Sequence, residues 1–213
     1  NDAPTDIALD SSSVAENQPS GTTVGGLSTT DPDAGDSHTY SLVSGAGDDD
    51  NASFAIDGGS LVTAAVFDHE TKSSYSVRIQ TDDGSGGTYE EAFTITVTDV
   101  NEAPVAAGDG YSVAEGGTLN VSAPGLLGND SDPEDDGLTA VKVTDPAHGT
   151  VTVNADGSFS YTHDGSETSA DSFTYKANDG SLDSDPATVS LTVTPENDAP
   201  TDIALDSSSV AEN

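Results

Sequence analysis

Apolar and polar residues alternate with a period of two along most of this chain. In "YSVRIQT" Tyr75, Val77 and Ile79 fall on one face, and in "FTITVT" Phe93, Ile95 and Val97 do the same. The pattern returns later with Val151 and Val153, Phe159 and Tyr161, Phe173 and Tyr175, then Val189, Leu191 and Val193. Such alternation, rich in Thr and β-branched residues, predicts strands buried on one face. Turn residues separate the runs. "NADGS" sets Asp156 and Gly157 between two alternating stretches, and "IDGGS" at 56–60 does similar work, so both predict hairpins. No window shows helical periodicity with caps at both ends. About seven short strands per hundred residues predicts an all-β chain of Ig-like, Greek-key β-sandwiches.

The chain also repeats itself. "NDAPTDIALDSSSVAEN" at 1–17 returns unchanged at 197–213, and a near copy of its opening, "NEAP", stands at 101–104. Self-similarity of this kind marks a repeat architecture. The expected organisation is one repeat over 1–102, a second over 103–198 and the first strand of a third over 199–213, a window from a longer array. The linkers "TDVNEAPV" and "TPENDAPT" contain no Gly, and Pro104 and Pro200 fix φ and bias the preceding residue towards extended backbone. Stiff joints of this kind predict a linear rod. Residues 201–213 are expected to lie against a neighbouring copy, or to take the place of residues 5–17 in a sandwich, giving head-to-tail continuity.

Charge complicates this picture. Asp and Glu number 39 against 4 Lys and Arg, for a net charge of −35. Leu, Ile, Val and Phe together number only 39 of 213 residues, which places the composition on the disordered side of the usual boundary. The ordered alternation argues for a fold, provided that cations from outside neutralise the acids. The acidity excludes nucleic acid as a partner, since phosphate contacts need clustered Lys and Arg. There is no Cys for disulfides, thiol catalysis or thiolate-bound zinc. No apolar run approaches the ~18 residues of a membrane span, so this segment is expected to make no membrane contact.

The acids are not scattered evenly. "GDDDN" at 47–51 reads as a solvated face. Others stand at strand ends or in turns: Glu16 in "VAEN", Asp31, Asp33 and Asp36 in "TDPDAGD", Asp68 and Glu70 in "FDHE", and Asp83 in "TDDG". Alternate turns of a sandwich gather at its poles, so these carboxylates can converge there. Converging carboxylates in flexible loops suit Ca2+, a hard cation that takes many oxygen ligands.

Here the residues resemble a known family. "VAEN", "DPDAGD", "FDHE", "TDDG" and "DVNEAP" stand in the order and at the spacing of a cadherin repeat. The second half resembles the related cadherin-like repeats of giant bacterial surface adhesins, through "LLGNDSDPEDDGLT", "PAHGTVTVNADGSFSYT", "DSFTYKANDG" and "PENDAP". The resemblance implies Ca2+ held between successive repeats. At the complete joint the ligands would be Glu16, Asp68 and Glu70, the linker residues Asp99, Asn101 and Glu102, and Asp132, Glu134 and Asp179, with Asp130 and Asp136 in reserve. Asn1 and Asp2 with Asp31, Asp33 and Asp83 would form half of a preceding joint. Glu115, Asn197 and Asp198 would serve the following one, with Glu167 or Asp171 as further candidates. The second half lacks an "FDHE" equivalent, and Pro195 stands where the first linker has Asp99. An EF-hand reading of "DPEDDG" fails, because Val141 or Val143 occupies the place of the twelfth-position glutamate.

No nucleophile elbow, zinc-binding His-Glu-x-x-His or phosphate-cradling glycine pattern is present, and His69 reads as a spacer between two ligating acids. The chain is expected not to be an enzyme. The leading expectation is a calcium-rigidified spacer in an extracellular bacterial adhesin or fibre, at the cell surface or secreted, whose partners are adjacent repeats and other copies of itself. The alternative is a recognition module for a polysaccharide or for another copy. Carbohydrate sites usually present aromatic platforms. There is no Trp, and only Tyr89 and Tyr111 fall outside the alternating core positions.

Overall fold

The computed structural model describes residues 1–197 and 199. The expected contacts of residues 201–213, and Asp198 as a ligand, lie outside the described residues. The chain divides into two compact units, the first Asn1–Asn101 and the second beginning at Glu102.

The first unit is a sandwich of eight strands: β1 (Asp6–Leu9), β2 (Ser13–Ala15), β3 (Thr23–Thr30), β4 (Thr39–Leu42), β5 (Phe54–Asp57), β6 (Ser60–Thr63), β7 (Ser74–Asp82) and β8 (Thr88–Thr98). One sheet has the order β1-β3-β6-β5 and the other β2-β8-β7-β4. The N-terminal segment changes sheets between β1 and β2, where Asp10 Oδ1 accepts the Gly26 N–H at 2.6 Å. Gly25 permits this crossing: a Cβ there would lie 2.3 Å from the Ser11 carbonyl oxygen. After the switch β2 runs parallel to β8, with Val14 opposite Val97. The predicted alternation is realised in β7 and β8, whose inward residues Val77, Ile79, Ile95 and Val97 are fully buried. Phe54, Phe67 and Tyr75 pack as a trio of rings at one end of this core.

The second unit has seven strands: β9 (Asp109–Ala114), β10 (Thr118–Val121), β11 (Thr139–Thr144), β12 (Gly149–Val153), β13 (Phe159–His163), β14 (Ala170–Asn178) and β15 (Ala187–Thr194). Its sheets have the orders β10-β13-β12 and β11-β14-β15-β9, and β9 runs parallel to β15 as β2 does to β8. Both expected hairpins form, β5–β6 around Gly58 and Gly59, and β12–β13 around Asp156 and Gly157. Gly157 has φ 81° and sits so close to Pro124 that a Cβ would strike its carbonyl oxygen. Tyr111 belongs to the flank of this core, edge-on to Phe159 at 5.1 Å, and Tyr89 packs against the first core. Neither ring is an exposed platform.

Helical structure among the described residues is limited to short 3-10 turns at Asn51–Ser53 and Gly125–Asn129. No helix there is long and apolar enough to cross a membrane. The acidic stretch at 47–51 departs from the solvated face expected of it. Asp50 accepts from Lys72 Nζ at 2.5 Å and from the Ser76 N–H at 2.8 Å, while Asn51 bridges the Val43 carbonyl and the Arg78 N–H. Burial works against the Asp50 charge, but these two donors outweigh it and hold its pKa below the usual range.

Candidate metal centres

Strand register builds the first acidic group. Asp6 pairs with Thr30, so residues before β1 meet residues after β3, and Asp83 follows the end of β7. Asn1 Nδ2 donates to Asp83 Oδ2 at 2.7 Å, the Asp2 N–H to Asp33 Oδ2 at 2.5 Å, and the Asp33 N–H to Asp31 Oδ1 at 2.8 Å. Oxygens of Asp31, Asp36 and Asp83 lie within 4.8 Å of one another. His38 Nε2 is 3.0 Å from Asp31 Oδ2 and lowers the Asp31 pKa. The Asn1 amide, followed by the Ser85 N–H, lowers that of Asp83. All five residues expected here are therefore at one end of the unit. Sequence reasoning left Asp36 and His38 out of the set, although Asp36 closes the "DPDAGD" motif.

The second group lies at the other end of the β7–β8 ladder, a span of nine paired positions or roughly 30 Å. Glu16 is fully buried at the end of β2. Its Oε1 accepts the Val100 N–H and its Oε2 the His69 N–H, both at 2.7 Å. Thus Glu16 ties the segment leaving β8 to the "FDHE" turn. Glu70 has an oxygen within 4.8 Å of Glu16, and the same distance encloses His69, Glu70 and Asp99. His69 is more than a spacer, since its Nδ1 also sits 3.1 Å from Glu70 Oε1. Asp68 Oδ1 caps its own turn by accepting the Thr71 N–H at 2.8 Å. Asn101 is exposed.

In the second unit the candidate acids gather on the loop before β11. The Glu102 N–H donates to Glu134 Oε1 at 3.3 Å, and Val105 pairs with Ser131, so residues 102–105 are sewn to that loop. Asp132 is 8% exposed, and its Oδ1 accepts the N–H groups of Glu134 and Asp136, each at 3.1 Å. Asp132 Oδ2 and Glu134 Oε2 are buried without a hydrogen-bond partner. Burial, followed by the neighbouring charges of Asp132 and Glu102, raises the Glu134 pKa. Asp179 follows β14 at the same end, because Asn178 pairs with Thr139. Its Oδ1 accepts the Ser181 and Leu182 N–H groups and closes a turn. No group of three candidate ligands within 4.8 Å includes Asp132 or Asp179 among the described residues.

Glu115, just past β9, repeats the role of Glu16 at one point, since its N–H pairs with Thr194 as that of Glu16 pairs with Thr98. Its Oε2 accepts the Glu196 N–H at 3.3 Å, while Oε1 is buried and unpartnered. Asn197 is exposed. Asp130 and Asp171 serve the fold instead. Asp130 accepts the Ala107 N–H and lies within 3.0 Å of the Tyr175 hydroxyl. Asp171 accepts the N–H groups of Ala147, His148 and Ser172 and the Tyr161 hydroxyl, so its oxygens are committed. Asp109 was absent from the sequence reading. One of its oxygens is buried without a partner, and burial, then the nearby Asp130 charge, raises its pKa to about 6.

These donor sets fit a hard divalent cation. They are carboxylate oxygens backed by hydrogen bonds from main-chain N–H groups, with no thiolate and one imidazole at each of the two first-unit groups. Buried carboxylate oxygens with no donor are costly, and a bound cation would supply what they lack.

Comparison with known proteins follows the division of the chain. Residues 10–99 match the cadherin domain family, and residues 101–195 match the bacterial cadherin-like domain family. The EC1-2 pair of human protocadherin-24 is 21% identical over 92% of this chain and 100% of its own, with a TM-score of 0.68. Extracellular cadherin domains 1–5 of protocadherin gamma B2 give 22% identity, a TM-score of 0.61 and 93% coverage, of which this chain spans 41% of the solved length. Mouse cadherin-23 EC22-24 gives 23% identity, a TM-score of 0.57 and coverage of 92% and 66%. No curated protein matches the chain. With the sandwiches, the register and both family matches in place, the chain is one cadherin repeat followed by one bacterial cadherin-like repeat.

Proposed function

We propose that this chain is a calcium-rigidified spacer of an extracellular bacterial adhesin or fibre. Cadherin repeats are adhesion modules, and the acids described above are the means by which these two would bind Ca2+. Glu16, Glu70 and Asp99, with Asp68, Asn101 and Glu102, would hold the ion together with Asp132, Glu134 and Asp179. Asn1, Asp2, Asp31, Asp33 and Asp83, joined by Asp36, would serve a preceding repeat, and Glu115 with Asn197 and Asp198 a following one. Bound Ca2+ supplies positive charge and oxygen coordination. The protein's part is to present preset carboxylates: Glu16 is fixed by two N–H donors and Asp132 by two more.

The observation that carries this reading is the pair of buried, unpartnered oxygens on Asp132 and Glu134. A net charge of −35 adds to it, since 4 Lys and Arg cannot balance 39 Asp and Glu. Small-angle scattering with Ca2+ and with chelator tests it. Ca2+ is expected to give a longer, less variable particle, and Glu70→Ala or Asp99→Ala to resemble the chelated protein. An unchanged maximum dimension in every case would overturn the spacer reading.

A further inference from the structure

Resting on the reading of this end of the first unit as a metal centre, we propose that His69, Glu70 and Asp99 form a site for a borderline transition-metal ion of the Zn2+ type, on carboxylates that Ca2+ would otherwise use. Ligand atoms of these three residues lie within 4.8 Å of one another. The chain has four His. The other three, His38, His148 and His163, belong to no such group among the described residues, although His38 Nε2 stands 3.0 Å from Asp31 Oδ2. One imidazole alone is set between two carboxylates.

That imidazole decides the class of ion. Ca2+ surrounds itself with oxygen, whereas imidazole nitrogen and carboxylate oxygen together suit Zn2+ and its first-row neighbours. His69 Nδ1 is 3.1 Å from Glu70 Oε1. Two ligands at ~2.0–2.1 Å from a tetrahedral Zn2+ stand about 3.3 Å apart, so this pair already has the bite of one ion. A neutral imidazole keeps a lone pair on one nitrogen in either tautomer. With the proton on Nδ1, Glu70 orients the ring and Nε2 is the ligand. With the proton on Nε2, Nδ1 and Oε1 are two acceptors face to face, and a cation between them removes the repulsion.

The frame is set by the main chain. The His69 N–H donates to Glu16 Oε2, and the N–H of Val100, next to Asp99, donates to Glu16 Oε1, both at 2.7 Å. One fully buried carboxylate therefore holds both arms of the site and leaves the three side chains to the ion. The His69 and Glu70 side chains are 31% and 26% exposed, so an ion reaches them from solvent.

The test is a titration of the whole chain with Zn2+ in Ca2+-free buffer, followed by calorimetry and by the 15N signals of the His rings. The His69 ring is expected to shift and saturate while the His163 ring stays in place. His69→Asn is expected to weaken the corresponding binding step by at least about ten-fold, the loss that even an outer-shell partner brings. Asp99→Asn is expected to weaken it as well, and His38→Asn to leave it unchanged. His69→Asn keeps the main-chain bond to Glu16, and melting in EDTA reports whether each variant is folded. Equal Zn2+ affinity in His69→Asn and the wild type would overturn the proposal. So would equal movement of all four His rings, which would mean diffuse capture by an acidic surface. Stabilisation by Ca2+ beside a Zn2+ response indifferent to His69 would sink this site and leave the spacer reading intact. A His69-dependent Zn2+ response with no effect of Ca2+ would do the reverse.

Discussion

Glu16 accepts the backbone N–H of Val100 at 2.7 Å, so a fully buried carboxylate at the end of β2 anchors the segment that leaves β8. The same side chain takes the His69 N–H. Glu16→Ala would strand two buried donors, and should cost ~2–4 kcal/mol in the first unit even in chelator. Glu16→Gln keeps one acceptor and should cost less. Urea unfolding in excess EDTA measures both. A loss appearing only with Ca2+ would assign Glu16 to coordination alone.

Glu134 should show a change of sign. Burial and the adjacent Asp132 and Glu102 make its charge unfavourable without a cation. Glu134→Gln should therefore raise the melting temperature in chelator and lower it in millimolar Ca2+, by a few degrees each way. A lower melting temperature in both conditions would mean that Glu134 is structural.

The pH dependence of the metal-free second unit follows from Asp109. Its folded pKa, about 6, lies above the unfolded value. Its stabilising contribution is complete below the unfolded pKa and is lost as pH rises through 6. Stability in chelator should fall between pH 4.5 and 7.5 by ~1–2 kcal/mol, discounted for solvent screening. Asp109→Asn should flatten the profile in that window. Asp171 has a lowered pKa. Burial pushes it up, but the Tyr161 hydroxyl and three N–H groups prevail. Its contribution is lost only at more acid pH, outside the window. Equal slopes for the wild type and Asp109→Asn would refute the assignment.

Asn51 and Asp49 offer a contrast within one acidic run. Asn51 joins the Val43 carbonyl to the Arg78 N–H, whereas Asp49 is exposed. Asn51→Ala should cost ~1–3 kcal/mol, and Asp49→Ala less than about 0.5 kcal/mol.

That run also shows what was legible in the sequence. Period-two alternation located β7, β8, β13, β14 and β15, because half-buried strands must alternate. The hairpins at Gly58 and Gly157 were legible because only turn residues tolerate that backbone. The grouping of Asn1, Asp2, Asp31, Asp33 and Asp83 came from the resemblance, and strand register supplies its geometry. What stayed hidden depends on contacts distant in sequence. Asp50 looks solvated until Ser76 and Lys72 are brought to it. Asp171 and Asp130 look like ligands until Tyr161 and Tyr175 claim their oxygens. Asp109 carries no motif, and its raised pKa arises only once the fold buries it and sets the Asp130 charge beside it.

Thermal unfolding in millimolar Ca2+, in excess EDTA, and in EDTA with added NaCl tests the central claim most directly. Each occupied site adds ~2.7 kcal/mol at a hundredfold excess of Ca2+ over its Kd. The account predicts a melting temperature many degrees higher in Ca2+, with NaCl recovering only part of the difference because screening is not coordination. Equal melting temperatures in Ca2+ and EDTA would contradict it.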